Sequence, residues 1–559
     1  MNAYFVKQGG VWLVGVLRLK RRFIPASVQP YQAYGAPLSK LLSDCNTLPK
    51  PLPNAVRTAR WIAWLPCAFC NLAYAANWTA YPTLQAQEIY SDNVTLAKPG
   101  SETGAFVSDV SPGLYVSRQS GRDLLNLNYR LQNLYNAAGN NDVTTFNQLQ
   151  FNANHTFIPN RFFVNASSSI SQQNVSNARI AADNISGGGS RANVNTFNIA
   201  PTWTPHFGHY ASGTVGLNLS TVTTDVGTAS SGTSTAALSD TVNYGENIQI
   251  NSGTAFKRIS WNLAFNNLDN ERVTGNNVSF QSSSLTLRTH LNRYFNLFVQ
   301  TGQSNNSFQS ANTGTTNGVF YTAGAQWLPS RHYSLEAGYG NNAYVTLSLN
   351  PTQRLSWVTT FRDNAIGLNA GQTWQTALNY RTQRSNWSLT HNNATTTTQA
   401  LLLQPQLVTV DLNPDPLVQQ LQQFIINLPT LTDQVIVTQT WALSVSFRTG
   451  KSTIFASGSD QIRSYQTIGN KEDVTALNAG WNWQFGPKTS LYASPGWQLI
   501  ERGGVAQRDN RYDFAVGVNR ALSQRINSRI EFRHIDQSSA LNTNNFQENR
   551  ATASLFMRF

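Results

Sequence analysis

Cysteine is almost missing from this chain. The three present, Cys45, Cys67 and Cys70, lie near the N-terminus, and none follows position 70. That excludes a disulfide framework and thiolate metal sites from the rest of the sequence. Charge is scarce too: Asp, Glu, Lys and Arg make up 12%, about half the ~25% of an ordinary soluble domain. Catalytic signatures are also absent. There is no HExxH, no GxSxG and no Gly-rich loop between a strand and a helix to cradle phosphate. The sequence therefore reads as non-enzymatic, with no cofactor and no metal, although barrel hydrolases exist and fold alone does not exclude one. His206-x-x-His209 has a spacing a metal could use, but it sits at a Pro-containing turn. Gly187-Gly188-Gly189 lies in a polar loop and reads as flexibility.

In place of charge the chain carries Asn, Gln, Ser and Thr, with 14 Trp, 20 Tyr and 28 Phe, and its mean hydropathy is −0.32. So many aromatics exclude a disordered chain. Few charges, many neutral polar groups and many aromatics suit a wall that is apolar on one side and wet on the other. The formal charge of +13 does not mark a nucleic-acid binder. Nine of the 40 bases and one of the 27 acids fall within residues 1–75, leaving 31 against 26 and no dense basic run.

Those first residues hold an export signal. Arg57 and Arg60 precede the apolar run Trp61–Phe69, and Ala73-Tyr74-Ala75 gives the small-x-small pattern of a signal peptidase site. The run is shorter than the ~20 residues of a membrane-spanning helix. Cleavage is expected after Ala75, with Ala76 first in the mature chain. Residues 56–75 form a normal signal if Val56 is the true start, and residues 1–55 are then a mis-assigned upstream extension. A long, unusual leader is the alternative.

From residue 83 onward the sequence alternates with period 2 in segments of about ten to fifteen residues. Leu125, Leu127, Tyr129 and Leu131 alternate with Asn126, Asn128, Arg130 and Gln132. Trp441, Leu443, Val445 and Phe447 oppose Ser444, Ser446 and Arg448, and Leu477, Ala479, Trp481, Trp483 and Phe485 oppose Asn478, Asn482 and Gln484. Successive strand side chains point to opposite faces, so each segment has one apolar and one polar face. A soluble sandwich shares this pattern; the segment ends separate the two. Short turns recur beside aromatics, as in Phe157-Ile158-Pro159-Asn160-Arg161-Phe162 and Trp327-Leu328-Pro329-Ser330-Arg331. Long polar stretches such as 174–191, 221–241, 305–317 and 391–434 lie between them. Short turns at one end, long loops at the other and an aromatic girdle describe an outer-membrane barrel.

About eleven short turns imply 24 antiparallel strands, within a range of 20–26. The last segment ends on Phe559 after Ala551, Ala553, Leu555 and Met557 alternate with Arg550, Thr552, Ser554, Phe556 and Arg558. A terminal aromatic on an amphipathic strand is similar to the signal read by the outer-membrane assembly machinery. Within the inserted segment 398–434, Asp415-Pro416 reads as a helix start, and Leu417, Leu421, Phe424 and Leu428 recur at helical spacing. A short helix of about 416–427 is expected in an extracellular loop.

The stretches EIYSDNV (88–94), VSPGL (110–114), NLNYRLQNLY (126–135) and SISQQNVS (169–176) carry a family resemblance. The chain resembles the outer-membrane barrels associated with the PEP-CTERM/exosortase system, found near exopolysaccharide genes. The resemblance spans most of 80–559, leaves out residues 1–55 and includes no catalytic motif. It implies a link to polysaccharide export or surface assembly, with polysaccharide or polysaccharide-export proteins as partners. The family carries no established activity; within that setting the expected function is a passive, porin-like pore or export conduit for glycan, the alternative a non-conducting structural or interaction barrel, and a barrel hydrolase comes third. Eleven arginines fall on polar faces: Arg130, Arg258, Arg288, Arg354, Arg362, Arg448, Arg511, Arg529, Arg533, Arg550 and Arg558. Facing a lumen, they would offer planar donors to an anionic glycan or pair with carboxylates to brace the wall.

Overall fold

The computed structural model describes residues 77–559 apart from 138–142, 175–178, 188–190, 227–237, 309–316, 404–431 and 504–506, and also residues 7–8 and 11–12. The chain divides into two compact units, Met1–Tyr74 and Ala75–Phe559. In the first, Lys7–Gln8 pairs antiparallel with Val11–Trp12. The expected cleavage residues Ala73, Ala75 and Ala76 and the expected helix at 416–427 lie outside the described residues.

The second unit is a closed antiparallel barrel of 24 strands. They are β1 (Asn77–Ser91), β2 (Ala105–Gln119), β3 (Asp123–Asn136), β4 (Val143–Ile158), β5 (Phe162–Asn174), β6 (Arg191–Trp203), β7 (Ala211–Val226) and β8 (Thr241–Ser252). Next come β9 (Ile259–Arg272), β10 (Val278–His290), β11 (Phe295–Ser307), β12 (Gly318–Ser330), β13 (Tyr333–Gly340), β14 (Asn342–Thr352), β15 (Leu355–Asn364) and β16 (Gly371–Arg381). The last eight are β17 (Ser385–Thr397), β18 (Val435–Arg448), β19 (Ser452–Tyr465), β20 (Lys471–Gly486), β21 (Thr489–Arg502), β22 (Gln507–Ala521), β23 (Ile526–Ser539) and β24 (Phe546–Arg558). A two-residue pairing, His206–Phe207, prolongs the turn between β6 and β7. β24 closes on β1, from Arg550 opposite Ser91 to Arg558 opposite Thr83. The Phe559 amide then donates to the Pro82 carbonyl at 3.0 Å. Closure leaves no unpaired strand edge, which is what a bilayer demands of a spanning sheet.

Alternation becomes two walls. On β11, Leu297 and Val299 are exposed outward while Asn296 and Phe298 are buried inward. On β18, Leu443 is exposed on the outside, and Thr438, on the opposite face, is buried. Leu, Val, Ile, Phe, Tyr and Trp stand exposed around the whole circumference. A soluble monomer does not carry apolar surface on that scale; lipid accounts for it. Beside the short turns stand exposed Phe157, Trp203, Phe207, Trp327, Trp387 and Phe485, and Trp481 and Trp483 stack at 5.9 Å. They form the girdle at the headgroup level. Eleven short connections occupy this end, as the turn tally implies. The Pro159-Asn160 turn places Asn160 at φ 57°, a conformation its short polar side chain tolerates.

The barrel is not round at its long-loop end. A helix, α1 (Thr398–Leu403), follows β17 directly. Its Leu402 packs on Ala192, Val194, Val222 and Leu238, which belong to β6, β7 and the connection after β7. Gln399 donates to Asp433 at 2.6 Å, and the Asp433 carboxylate accepts the Ser239 amide at 3.0 Å. The Asp433 carbonyl accepts from Arg272 at the end of β9. A round 24-strand barrel would measure roughly 45–50 Å across, given strands about 4.8 Å apart and tilted about 40°. Six helical residues reach only about 9 Å. The wall is therefore drawn in to a waist, where α1 and Asp433 bridge from the ends of β17 and β18 to β6, β7 and β9, and a lobe with its cavity lies on each side of it.

Candidate functional site: the divided lumen

Each lobe holds a cavity. The first, about 880 Å³, is lined by strands from β6 round to β17. The second, about 570 Å³, is lined by β1–β6 and β20–β24, with Leu402 and Leu403 of α1 on its flank.

The second lobe is roofed by the segment 179–187 between β5 and β6, which folds inward. Its apolar residues are matched on both sides. Ile180 packs on Val474 and Ile500, and Ala181 and Ala182 on Leu96, Ile535 and Phe546. Its polar residues are matched as well. Asn184 donates to Gln132 at 2.9 Å and to Gln172 at 3.0 Å; Ser186 donates to Glu548; Arg511 donates to the Ile180 carbonyl. The Gly187 amide donates to the Val94 carbonyl at 3.0 Å. Gln132, Arg511 and Arg550 each lie four residues below the loop end of their strands. The segment thus sits on the order of 10 Å inside the mouth. Asp183 is half-buried within it and ion-pairs with Arg550. Burial alone would raise its pKa, but the charges of Arg550, Arg533 and Arg191 hold it down at about 2.

Seven of the eleven arginines singled out in the sequence lie on the inner wall: Arg130, Arg288, Arg362, Arg511, Arg529, Arg533 and Arg550. Five have carboxylate partners there. Arg288 pairs with Glu336 at 2.9 Å, Arg533 with Asp513 at 2.5 Å, Arg511 with Asp513 at 3.5 Å, Arg550 with Glu548 at 2.9 Å and Arg529 with Glu531. Arg130 instead donates to Gln85 at 2.9 Å and Gln148 at 2.8 Å. Arg362 lies over the Tyr344 ring, 5.3 Å from its centroid.

The other four depart from the lumen reading. Arg258 and Arg354 are exposed in the short connections before β9 and β15, and Arg448 is the exposed last residue of β18. Arg558 ends β24, donates to the Gln524 carbonyl and lies 5.7 Å over the Tyr81 ring. Arg258 and Arg354 lie past the strand ends, where the chain bends into the turn, and Arg448 and Arg558 are the terminal residues of their strands at the short-turn rim. The carboxylates were not singled out, yet a signal was there: Arg511/Asp513, Arg529/Glu531 and Glu548/Arg550 are opposite charges two residues apart, the spacing that puts both on one face of a strand.

The first lobe differs in chemistry. Among the described residues around its cavity only Arg362 carries a charge that faces inward, and the inward side-chain amides include Gln300, Gln375, Asn218, Asn247, Asn266 and Asn306. Among the described residues no group of three or more His, Cys, Asp or Glu is placed to hold a metal ion.

A closed 24-strand barrel with an apolar outer wall, an aromatic girdle beside short turns and a polar lumen defines an outer-membrane β-barrel. No family model matches the chain, and no curated protein matches it. Solved structures with a similar barrel include the siderophore receptor PirA from Pseudomonas aeruginosa, with 9% identity and a TM-score of 0.39 over 87% of this chain and 81% of that one. The FrpB iron transporter from Neisseria meningitidis (F5-1 variant) gives 10%, 0.40, 86% and 82%. A loop-deletion mutant of OmpT, an outer membrane protein of Vibrio cholerae, gives 8%, 0.30, 87% and 100%. At these identities and scores the functional reading rests on the residues of this chain alone.

Proposed function

We propose that this barrel is a passive conduit for glycan in the outer membrane, serving an exopolysaccharide system of the PEP-CTERM type. The observation that carries the proposal is the first lobe, a lumen cavity walled by amides and hydroxyls with almost no charge. Such groups exchange hydrogen bonds with sugar hydroxyls as donors and as acceptors. The family resemblance in residues 88–94, 110–114, 126–135 and 169–176 supplies the link to surface polysaccharide. The inner arginines do not favour an anionic glycan, because carboxylates neutralise five of the seven. Outer-membrane lipid on the outer wall, the assembly machinery at Phe559 and polysaccharide-export proteins at the long loops are the partners this reading implies. It gives the barrel no enzymatic role and no cofactor.

A second reading, a non-conducting structural or interaction barrel, is favoured by one observation: the waist and the inward segment 179–187 obstruct the long-loop mouth. Planar-bilayer recording separates the two. The conduit reading expects stepwise conductance from the folded barrel and interruption of the current by oligosaccharide. A correctly folded barrel with no conductance would remove the conduit reading and leave the structural one.

A further inference from the structure

We infer that the first lobe is a binding site for a neutral oligosaccharide stretch, with Phe320 as its stacking platform. The inference deepens the glycan reading above, and rests on it, by naming the charge class of the substrate and the surface that holds it.

The inner wall here is paved in an unusual way. Three aromatic residues each lie directly opposite a glycine on the neighbouring strand: Phe320 opposite Gly302, Phe298 opposite Gly324 and Tyr344 opposite Gly338. A Cβ at Gly302 would stand 2.4 Å from the Phe320 ring, and one at Gly324 would stand 2.6 Å from the Phe298 ring. The rings therefore occupy the side-chain space the glycines leave, and lie along the wall instead of projecting into the lumen. This arrangement stabilises a glycine-containing sheet by covering its bare backbone. It also turns the second face of each ring to the lumen.

Two of those second faces are taken. Arg288 lies 5.2 Å over Phe298, and Arg362 lies 5.3 Å over Tyr344. Phe320 has no cation over it among the described residues, and it lines the cavity with Phe280. A flat apolar face bordered by Gln300, Ser304 and Asn306 matches a pyranose ring, whose C–H face stacks on an aromatic while its equatorial hydroxyls reach amides and hydroxyls at the edge. The cavity, about 880 Å³, falls within the usual range of small-ligand sites. Among the described residues lining this cavity the one charged side chain facing the lumen is Arg362, which lies over the Tyr344 ring; Glu246 falls on the outer face with Tyr244, so a charged polymer finds no track of partners here.

The test uses the full chain folded into lipid nanodiscs and isothermal titration calorimetry. The probes are hexasaccharides of glucose, mannose and galactose, with oligogalacturonate and chitosan oligomers as charged comparators. At least one neutral probe should bind more tightly than either charged one, and Phe320→Ala should weaken that binding at least tenfold. Gln300→Leu is the second variant, should Phe320→Ala disturb the barrel; heat-modifiable gel migration reports folding of both. Binding of no neutral probe, tighter binding of a charged one, or unchanged affinity in both folded variants would overturn the inference. Conductance is read separately: a conducting barrel that prefers oligogalacturonate leaves the conduit standing without this site. A silent barrel that binds a neutral probe keeps the site and loses the conduit.

Discussion

Replacing Asp183 by Asn should release the roof of the second lobe. A carboxyl held at about 2 instead of its ordinary 3.8 favours the docked, charged state by roughly 2 kcal/mol, at about 1.4 kcal/mol per unit of pKa. Asparagine keeps the shape and removes the charge. Arg550 retains Glu548 at 2.9 Å, so the substitution does not strand a buried cation, and the larger cost of breaking an isolated buried pair, about 3–5 kcal/mol, does not apply. The absence of cysteine after position 70 makes the readout direct. In residues 76–559 an Ala182→Cys substitution supplies a single thiol at the apolar contact with Leu96, Ile535 and Phe546. Partly buried when docked, it reacts with a maleimide faster when the segment lifts. Asp183→Asn should raise the labelling rate about thirty-fold, the equivalent of roughly 2 kcal/mol. The sign with pH follows. Because the docked pKa is the lower one, the carboxylate's contribution is complete above about 3.8 and fades as pH falls through about 2. Hydrogen exchange across residues 179–187 should therefore stay slow above about pH 3.8 and quicken, relative to the intrinsic rate, as the pH falls through about 2. A labelling rate unchanged by Asp183→Asn would refute the reasoning, since it would mean the ion pair contributes nothing to docking.

Gly187→Val should open the same segment. Gly187 sits at φ +69°, and a Cβ there would stand 2.8 Å from Leu96 Cδ1; the cost is on the order of 1–3 kcal/mol, seen as faster labelling at position 182. Leu402→Ala should loosen the waist by about 2–4 kcal/mol, read as faster hydrogen exchange in α1, whereas an unchanged exchange rate would deny α1 its bridging role. Leu443→Arg on the outer face of β18 should cost about 2–4 kcal/mol in folding into lipid vesicles. Ser444→Arg, one residue on and facing the lumen, should cost far less in the same titration.

The wall of the barrel was legible because its physics is local. A period of two needs only neighbouring residues to show itself, and aromatics beside Pro159-Asn160 or Pro329-Ser330 mark turns without any knowledge of partners. The interior was not legible in the same way. Residues 174–191 read as a polar flexible loop, yet Ile180, Ala181 and Ile185 are apolar groups that pack against the inner wall, and Gly187 is fixed by its positive φ and its bond to Val94. The waist joins strands nine or more apart in the sequence order, and no periodicity encodes a contact across a lumen. Helical structure was expected in the inserted segment after β17; the described helix lies at its very start, Thr398–Leu403, where Leu402 and Leu403 had not been read as a helical face. Arg258 and Arg354 show the limit of extrapolating alternation, which is valid only as far as the strand itself extends.

In this barrel lipid touches one wall and water or packed polar groups touch the other. Site-directed quenching tests that most directly: single cysteines at Val299 and Leu443 on the outside, and at Gln300 and Ser444 on the inside, each carrying a small fluorophore in vesicles of brominated lipid. The outer pair should be strongly quenched and the inner pair unaffected by bromine yet open to a water-soluble quencher. Equal quenching of all four by the lipid, or of none, would contradict the arrangement.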